Sequence, residues 1–478
     1  MRTPLDGRLD YKVFDEPKPA SRVSDPAQQP KEKPMPTPPC QPAPSQFAAW
    51  IGIDWADQEH AVCVVDAATG RSDPSTLAHE PGAIEDWAME LHNRFPGPIA
   101  VCLEQSKGAL LYALMKFDFL VLYPINPKQL ACYREALAPS GAKDDPVDAQ
   151  LLVDFLRRYH DRLRPWRPDD QATRLISILN EDRRGLIDLR TELTNRLQSR
   201  LKLYFPLVLE LFRGRTKLYA PVVCELLLRW GTLKELQQTD PAEIKALFTQ
   251  YHLHQKSIDQ NLTKIAQAKP LSDDEAIVRS GRLQAQGLAQ QLVDLADAIA
   301  RCEAELEKLM ETHPDAPLFT QLPGAGDALA PRLLAAFGTD RERIESASDM
   351  QSYSGIAPVT RRSGKSQFVA KRWACPNFLR QTFHEFARCS IAKSVWAAAS
   401  YRMQRDRGKK HHAAVRALAF KWIRILYACW KNHTLYNEFN YLQQLESQQS
   451  PLLAYVGTNH VRSLPIRSTN PKTFTISP

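Results

Sequence analysis

No stretch of this 478-residue chain approaches the roughly 18 consecutive apolar side chains that a membrane-spanning helix requires. The N-terminal residues lack the apolar core of a secretion signal, so the cytoplasm is the expected location. The nine cysteines stand singly at 40, 63, 102, 132, 224, 302, 375, 389 and 429. None has the paired C-x-x-C spacing of a zinc site, and no disulfide framework is implied, so they read as reduced thiols, mostly in cores. His384-Glu385 has no second histidine at the offset of a helical zinc protease motif, which excludes that chemistry. Acid is scarce in one long window. From Arg361 to Lys431 only Glu385 and Asp406 stand against 17 lysines and arginines, a net +15 where the whole chain carries +8. One-signed runs of this length are how a nucleic-acid surface shows itself, because phosphate contacts are made mostly by lysine and arginine.

What is present divides into regions. Residues 1 to 46 hold 11 of the 35 prolines and show no periodicity, which reads as a disordered leader. Residues 47 to 165 read as an α/β domain with a mixed sheet. An apolar strand from Phe47 to Ile53 ends on Asp54, and a hairpin partner follows over His60 to Val65. A helix opens at Pro81, and a buried strand from Ile99 to Leu103 delivers Glu104. Helix, strand and helix follow, and a last helix starts near Pro146. Residues 166 to 317 read as a helical coiled-coil region with an inserted helical segment at 206 to 272. Leu288, Leu292, Leu295, Ile299, Cys302, Leu306 and Leu309 step by fours and threes, an apolar seam over three heptads. Its partner is either Leu186, Leu189, Leu193 and Leu197 of the same chain or a second chain, and dimerisation is expected. Residues 318 to 435 form a mostly helical basic domain, and 436 to 478 read as a tail.

Two constellations carry chemistry. Asp54 and Glu104 end buried strands, and a charged acid after an apolar run is unusual unless something pairs it. Asp145 and Asp148 are three apart at a helix start, on one face near its positive end. Singly, each acid also suits an ordinary cap or turn. Converging, they would repel unless cations lay between them, and hard oxygen ligands suit Mg²⁺ or Mn²⁺. The order strand–Asp, hairpin, helix, strand–Glu, helix, strand, helix-borne Asp pair is that of RNase H-like nucleases. The second constellation is Ser363 before Gly364, in a loop flanked by Arg361, Arg362 and Lys365, with Lys371 and Arg372 downstream. A serine hydroxyl needs its proton removed and the phosphate charge neutralised before it attacks, and the cations supply the second need. The same residues equally describe a phosphate-holding loop, and Ser366 is the competing serine. Leu322-Pro323-Gly324-Ala325-Gly326 before a helix resembles a helix-hairpin-helix turn, whose backbone N–H groups hold a phosphate. His411-His412, after Lys409-Lys410, read as phosphate contacts.

From Trp50 to Leu435 the chain resembles the IS110-family transposases, also called bridge-RNA-guided recombinases. Gly52-Ile53-Asp54, Cys102-Leu103-Glu104-Gln105 and Lys143-Asp144-Asp145-Pro146-Val147-Asp148-Ala149 are similar to the family's RuvC-like DEDD half. Leu322-Pro323-Gly324-Ala325-Gly326, Tyr353-Ser354-Gly355-Ile356-Ala357-Pro358 and Arg362-Ser363-Gly364 are similar to its transposase domain. The resemblance implies a recombinase acting on donor and target DNA in the cytoplasm, at the nucleoid of a prokaryotic cell. The acids would bind Mg²⁺, and Ser363 would form a covalent phosphoserine intermediate. A noncoding bridge RNA would guide it, and the composite site would assemble in a dimer or tetramer. Asp144, where the family has a small hydroxyl residue, and Cys375-Pro376-Asn377, in place of Gly-Asn, depart from the pattern. Two other readings compete: a RuvC-like junction endonuclease that uses metal-bound water, and a nucleic-acid-binding protein without activity.

Overall fold

A computed structural model describes residues 46–104, 108–137, 145–214, 216–364 and 366–456, with only the backbone for Leu137 and Asp145. The proline-rich leader, Asp144, Lys365 and the last residues of the expected tail lie outside these. The chain divides into two compact units, Met1–Pro165 and Trp166–Pro478. Among the described residues no helix is long and apolar enough to cross a membrane.

The first unit is built on five strands: β1 (Ala49–Asp54), β2 (Glu59–Asp66), β3 (Ser72–Ala78), β4 (Ile99–Leu103) and β5 (Leu120–Pro124), in the order β3-β2-β1-β4-β5. β1 pairs antiparallel with β2 and parallel with β4, and β4 is parallel to β5. This is the mixed sheet of an RNase H-like fold. The central strands are near-continuous apolar runs because both faces are covered, and every residue of β4 is buried. β3 was not expected. Its Ser-Asp-Pro-Ser-Thr sequence has no alternation and carries Pro74, which an edge strand tolerates and a central one does not. Four helices complete the unit: α1 (Pro81–Arg94), α2 (Ala109–Leu114), α3 (Pro127–Leu137) and α4 (Asp145–Tyr159). Gly52 lets α4 lie directly on β1. A β-carbon there would sit 2.1 Å from the Ala149 carbonyl oxygen and 2.9 Å from the Leu152 β-carbon.

The second unit begins with α5 (Gln171–Tyr204), capped by the Asp170 side chain accepting from the Thr173 N–H. The shorter helices α6 (Leu207–Leu211), α7 (Pro221–Arg229), α8 (Leu233–Gln238), α9 (Pro241–Gln250) and α10 (Gln255–Gln267) follow, then the 38-residue α11 (Glu275–Thr312). α5 and α11 are antiparallel partners: Arg183 pairs with Glu303, and the Tyr204 ring abuts Gly281 at the other end. The expected seam is filled inside this chain. Leu292, Leu295, Ile299 and Leu306 are buried; Leu193 and Leu197 share a core with Leu292 and Leu295, and Ile176 shares the other with Leu306, while Leu189 stays exposed. The heptads therefore account for an intramolecular pair and by themselves call for no second chain. The helix pair joins two apolar cores. One gathers α6 to α10 around Leu197, Leu201, Phe248 and Leu292.

The other core lies under α12 (Ala316–Thr320), α13 (Gly326–Phe337), α14 (Ala347–Tyr353), α15 (Asn377–Ser390), α16 (Val395–Asp406), α17 (His411–Lys431) and α18 (Glu438–Ser447). It centres on Trp396, Trp422 and Trp430, whose indole N–H groups donate to the Tyr436 hydroxyl, the Ser390 hydroxyl and the Gly338 carbonyl. Residues 436 to 456 are not a loose tail. Leu442, Leu445, Leu452 and Val456 are buried in this core, from a helix too short for its periodicity to stand out. A two-stranded ribbon of β6 (Val359–Ser363) and β7 (Ser366–Ala370) projects between α14 and α15 in the chain order. Ser363, expected in a loop, is the last residue of β6.

Candidate active site

The acids of the first unit are placed by its stiffest parts. Ile53 pairs with Leu103 across two parallel strands, so Asp54 and Glu104, each the next residue, leave the sheet side by side at its carboxyl edge. That edge is where open α/β sheets place their ligands. α4 brings the third acid by the contact at Gly52. Asp148 immediately precedes Ala149, whose carbonyl abuts Gly52 two residues before Asp54. Cys63 and Ser72 side chains hold the same helix through Gln150, at 2.9 Å each. The Asp145 backbone starts α4, and its side chain is outside the described atoms.

Asp148 is only 1% exposed, and its charge is met by Arg134 of α3, Nε to Oδ1 at 2.8 Å and Nη2 to Oδ2 at 2.6 Å. Oδ2 nevertheless has no contact of hydrogen-bonding geometry. Among the described residues no three acidic, histidine or cysteine side chains stand together closely enough to share an ion. The chemistry of the donor set still fits a hard divalent cation, since the acids involved offer carboxylate oxygens, with the Arg134 guanidinium supplying the positive charge at Asp148 in this structure. Sequence reading missed Arg134, and nothing in the sequence joins it to an acid 14 residues away. It also missed His60. This fully buried imidazole accepts from the Ala56 N–H at Nδ1 (3.1 Å) and meets His79 Nδ1 through Nε2 (2.9 Å), so it pins the turn that follows Asp54.

Ser363 is placed very differently. Its strand pairs with Ser363 opposite Ser366, and Gly364 opens the turn between them at φ 55°, the left-handed region two-residue hairpin turns use. Alternation along β6 puts Arg361 on the Ser363 face and Arg362 on the other. Arg361 and Arg362 are exposed, as are Phe368, Val369 and Trp373, and Lys371 Nζ lies 4.5 Å from the Trp373 ring centre. No imidazole or carboxylate among the described residues hydrogen-bonds the Ser363 hydroxyl. His384, the nearest histidine after the ribbon in the chain, packs tilted against His412, ring centres 5.5 Å apart, beside Lys371 at the root of the ribbon. Arg372 has its Nε buried without a bonding partner.

The glycine turn divides its two expected phosphate contacts. Gly324, at φ 86°, is pressed against the end of α15, where a β-carbon would come within 2.8 Å of the Cys389 backbone. Its need for glycine is explained by packing. Gly326, at φ 53°, opens α13 with free space around its α-carbon, leaving the helix N-terminus accessible.

Comparison with known proteins covers both halves. Residues 51–206 match the family of DEDD transposases of the IS110 type, and residues 316–402 match the transposase family IS116/IS110/IS902. The four acids fall in the first span and Ser363 in the second. The mini-circle putative transposase for IS117 of Streptomyces coelicolor is 28% identical over 410 residues, 82% of this chain and 96% of the relative. The insertion element IS110 uncharacterized 43.6 kDa protein of the same organism is 28% identical over 63% of this chain and 73% of its own length. The insertion element IS900 uncharacterized 42 kDa protein of Mycobacterium paratuberculosis is 24% identical over 81% and 97%.

Proposed function

Because the chain belongs to the IS110 family of insertion-sequence transposases, we propose that it cuts and rejoins DNA with Ser363 as nucleophile and a cation site formed by Asp54, Glu104, Asp145 and Asp148. The observation that carries this reading is the placement of Asp54 and Glu104 at adjacent ends of parallel strands, with α4, the helix that carries Asp148, packed on β1 at Gly52. The division of labour is 47 to 165 for the acids and 318 to 435 for the serine, with the helical region 166 to 317 between them. Mg²⁺, or Mn²⁺ in its place, would supply charge neutralisation at the phosphate and acidify a bound hydroxyl.

The chain's own residues do the rest. Arg361, on the serine's face of the ribbon, draws the phosphate toward Ser363. Arg362, Lys365, Lys371 and Arg372 hold neighbouring phosphates, and the Gly326 end of the glycine turn, supported by Gly324, holds another. The Ser363 oxygen bonds to phosphorus as the bond from phosphorus to the deoxyribose oxygen breaks. The serine proton leaves to solvent or a carboxylate, and the departing oxygen gains one. Rejoining reverses this, with the incoming strand's hydroxyl displacing serine. A noncoding bridge RNA pairing with donor and target is the guide this reading implies. Assembly into a dimer or tetramer is supported by Leu175, Ile178 and Leu189, which α5 leaves exposed.

The test is recombination between donor and target plasmids with the RNA and Mg²⁺ supplied, together with a denaturing gel for protein–DNA adducts. Ser363→Ala is expected to lose the adduct and recombination, and Asp54→Ala or Glu104→Ala to lower strand cleavage on the order of 10³-fold. An undiminished adduct in Ser363→Ala removes serine from the mechanism. Cleavage that persists without any adduct points instead to a junction endonuclease using water.

A further inference from the structure

At the root of the ribbon, where Ile356 precedes β6 and Lys371 follows β7, lies a cavity of about 280 Å³. Two helices supply its walls in matching fashion. Arg380 and His384 are four apart on α15, and His412 and Arg416 are four apart on α17, so each pair stands on one face of its helix. The two imidazoles pack tilted, ring centres 5.5 Å apart, and Lys371 closes a further side. One acid, Glu385, lines the cavity, and it is already committed to Arg332 at 2.5 Å and to the Gln381 amide at 2.8 Å. Arg380 is tied to the Asn377 side-chain oxygen and the Cys375 sulfur, and to no carboxylate among the described residues.

Five cationic or protonatable groups therefore crowd one half-buried space, and among the described residues the one acid that lines it is held by Arg332. The strain shows in their proton affinities. Burial, then the Arg380 and Arg416 charges, pulls the Lys371 ammonium below its ordinary range. Burial, then His412, does the same to His384, and burial, then Arg380, to Arg416. An anion entering the cavity would offset the mutual repulsion that contributes to each of these, while the larger effect of burial would remain. Two arginines offer forked donors suited to phosphate oxygens.

We propose that the cavity walled by Lys371, Arg380, His384, His412 and Arg416 is a phosphodiester-binding pocket that anchors the nucleic-acid strand addressed by the serine ribbon. The assignment of the strand rests on the proposed role of Ser363. The pocket itself rests on the cation cluster alone. Five strand residues at about 3.3 Å each separate it from the ribbon's tip, so the anchored phosphate lies about 16 Å from the one under attack. Such a grip contributes affinity without reading sequence, and it fixes register.

The experiment measures oligonucleotide binding against salt concentration, with full-length protein carrying Ser363→Ala so that no chemistry intervenes. Arg380→Gln, Arg416→Gln and Lys371→Gln are each expected to weaken binding about tenfold at 0.1 M salt. Each should reduce the slope of log affinity against log salt by about one counterion. DNA and RNA oligonucleotides run in parallel show which strand occupies the pocket. Because each substitution relieves repulsion, the free variants are expected to melt no lower than the parent. Inorganic phosphate is expected to raise the melting temperature of the parent and not of the variants. Where a variant does melt lower, Lys371→Gln, at the less enclosed wall, decides. Unchanged affinity and unchanged salt slope in the three variants overturn the pocket. Since binding is read without the serine, that result leaves the nucleophile assignment standing, and an adduct-forming Ser363→Ala protein leaves the pocket standing.

Discussion

The acidic end of the first unit and the serine ribbon of the second are built on opposite plans. Asp54 and Glu104 continue strands whose residues are almost wholly buried, and Asp148 rides a helix pressed against one of them. Ser363 sits on two strands in which only Val359 and Ala370 are even partly covered. A cation site of the kind proposed for these carboxylates needs them held closely, and a packed framework positions the strands and the helix that carry them. A serine with the role proposed for Ser363 gains from standing clear of the core. Rigid placement is thus spent on the charges, and reach on the hydroxyl.

The comparison can be broken hardest at Arg134. Arg134→Ala leaves Asp148 buried with no counter-charge, a change expected to cost about 3 to 5 kcal/mol. Added Mg²⁺ should recover more stability in this variant than in the parent, because the cation replaces the guanidinium. Thermal melts with and without Mg²⁺ check this, and equal metal responses would separate Asp148 from the cation site. Gly52 comes next. Gly52→Ala forces α4 off β1 and is expected to cost at least about 1 to 3 kcal/mol, the range for overpacking, and to lower metal affinity with it. Gly364→Ala strains a left-handed turn by about 1 kcal/mol, yet is expected to leave the melting temperature of the cores unmoved while slowing adduct formation. If Gly364→Ala instead lowers the global melting temperature, the ribbon is not independent of the core.

The smallest expected effect is one of pH. Burial, then the neighbouring His79, holds the His60 imidazole below its ordinary value of 6.5. The folded chain keeps it neutral where the unfolded chain takes up a proton. Its stability contribution is therefore complete above about 6.5 and is lost as the pH falls toward the folded value. Melting of the first unit should weaken over that interval, and His60→Gln should flatten the dependence. A profile unchanged by the substitution would free the Asp54 turn from His60.

The same contrast explains what the sequence made legible. Apolar runs ending on acids could be read because burial dictates composition, and the heptads of α11 because helix packing repeats. The location of the seam's partner could not, since Leu193 and Leu197 would satisfy either arrangement. β3 escaped because an edge strand needs no pattern, and the 436 to 456 segment because a few buried leucines carry no period. Arg134 and the α15–α17 pocket escaped for a shared reason: their partners meet only after folding. The basic window gave the sign of the surface and pointed to Lys371 and His412, but not to Arg380, His384 and Arg416, which meet them only after folding.

An isolated two-stranded hairpin is marginally stable in water, since only its cross-strand pairs hold it. The β6–β7 ribbon is close to that condition. If the attack-ready form occupies a fraction f of the population, its idle reactivity and its apparent affinity both scale with f. With Ser363 in its proposed role, binding of a strand along the ribbon would raise f, so the nucleic acid to be cut would also switch on the cutting group. In that role the exposed ribbon would be its own safety catch, set by the turn at Gly364 and a few cross-strand pairs, and a substitution that stiffened it would exchange restraint for speed.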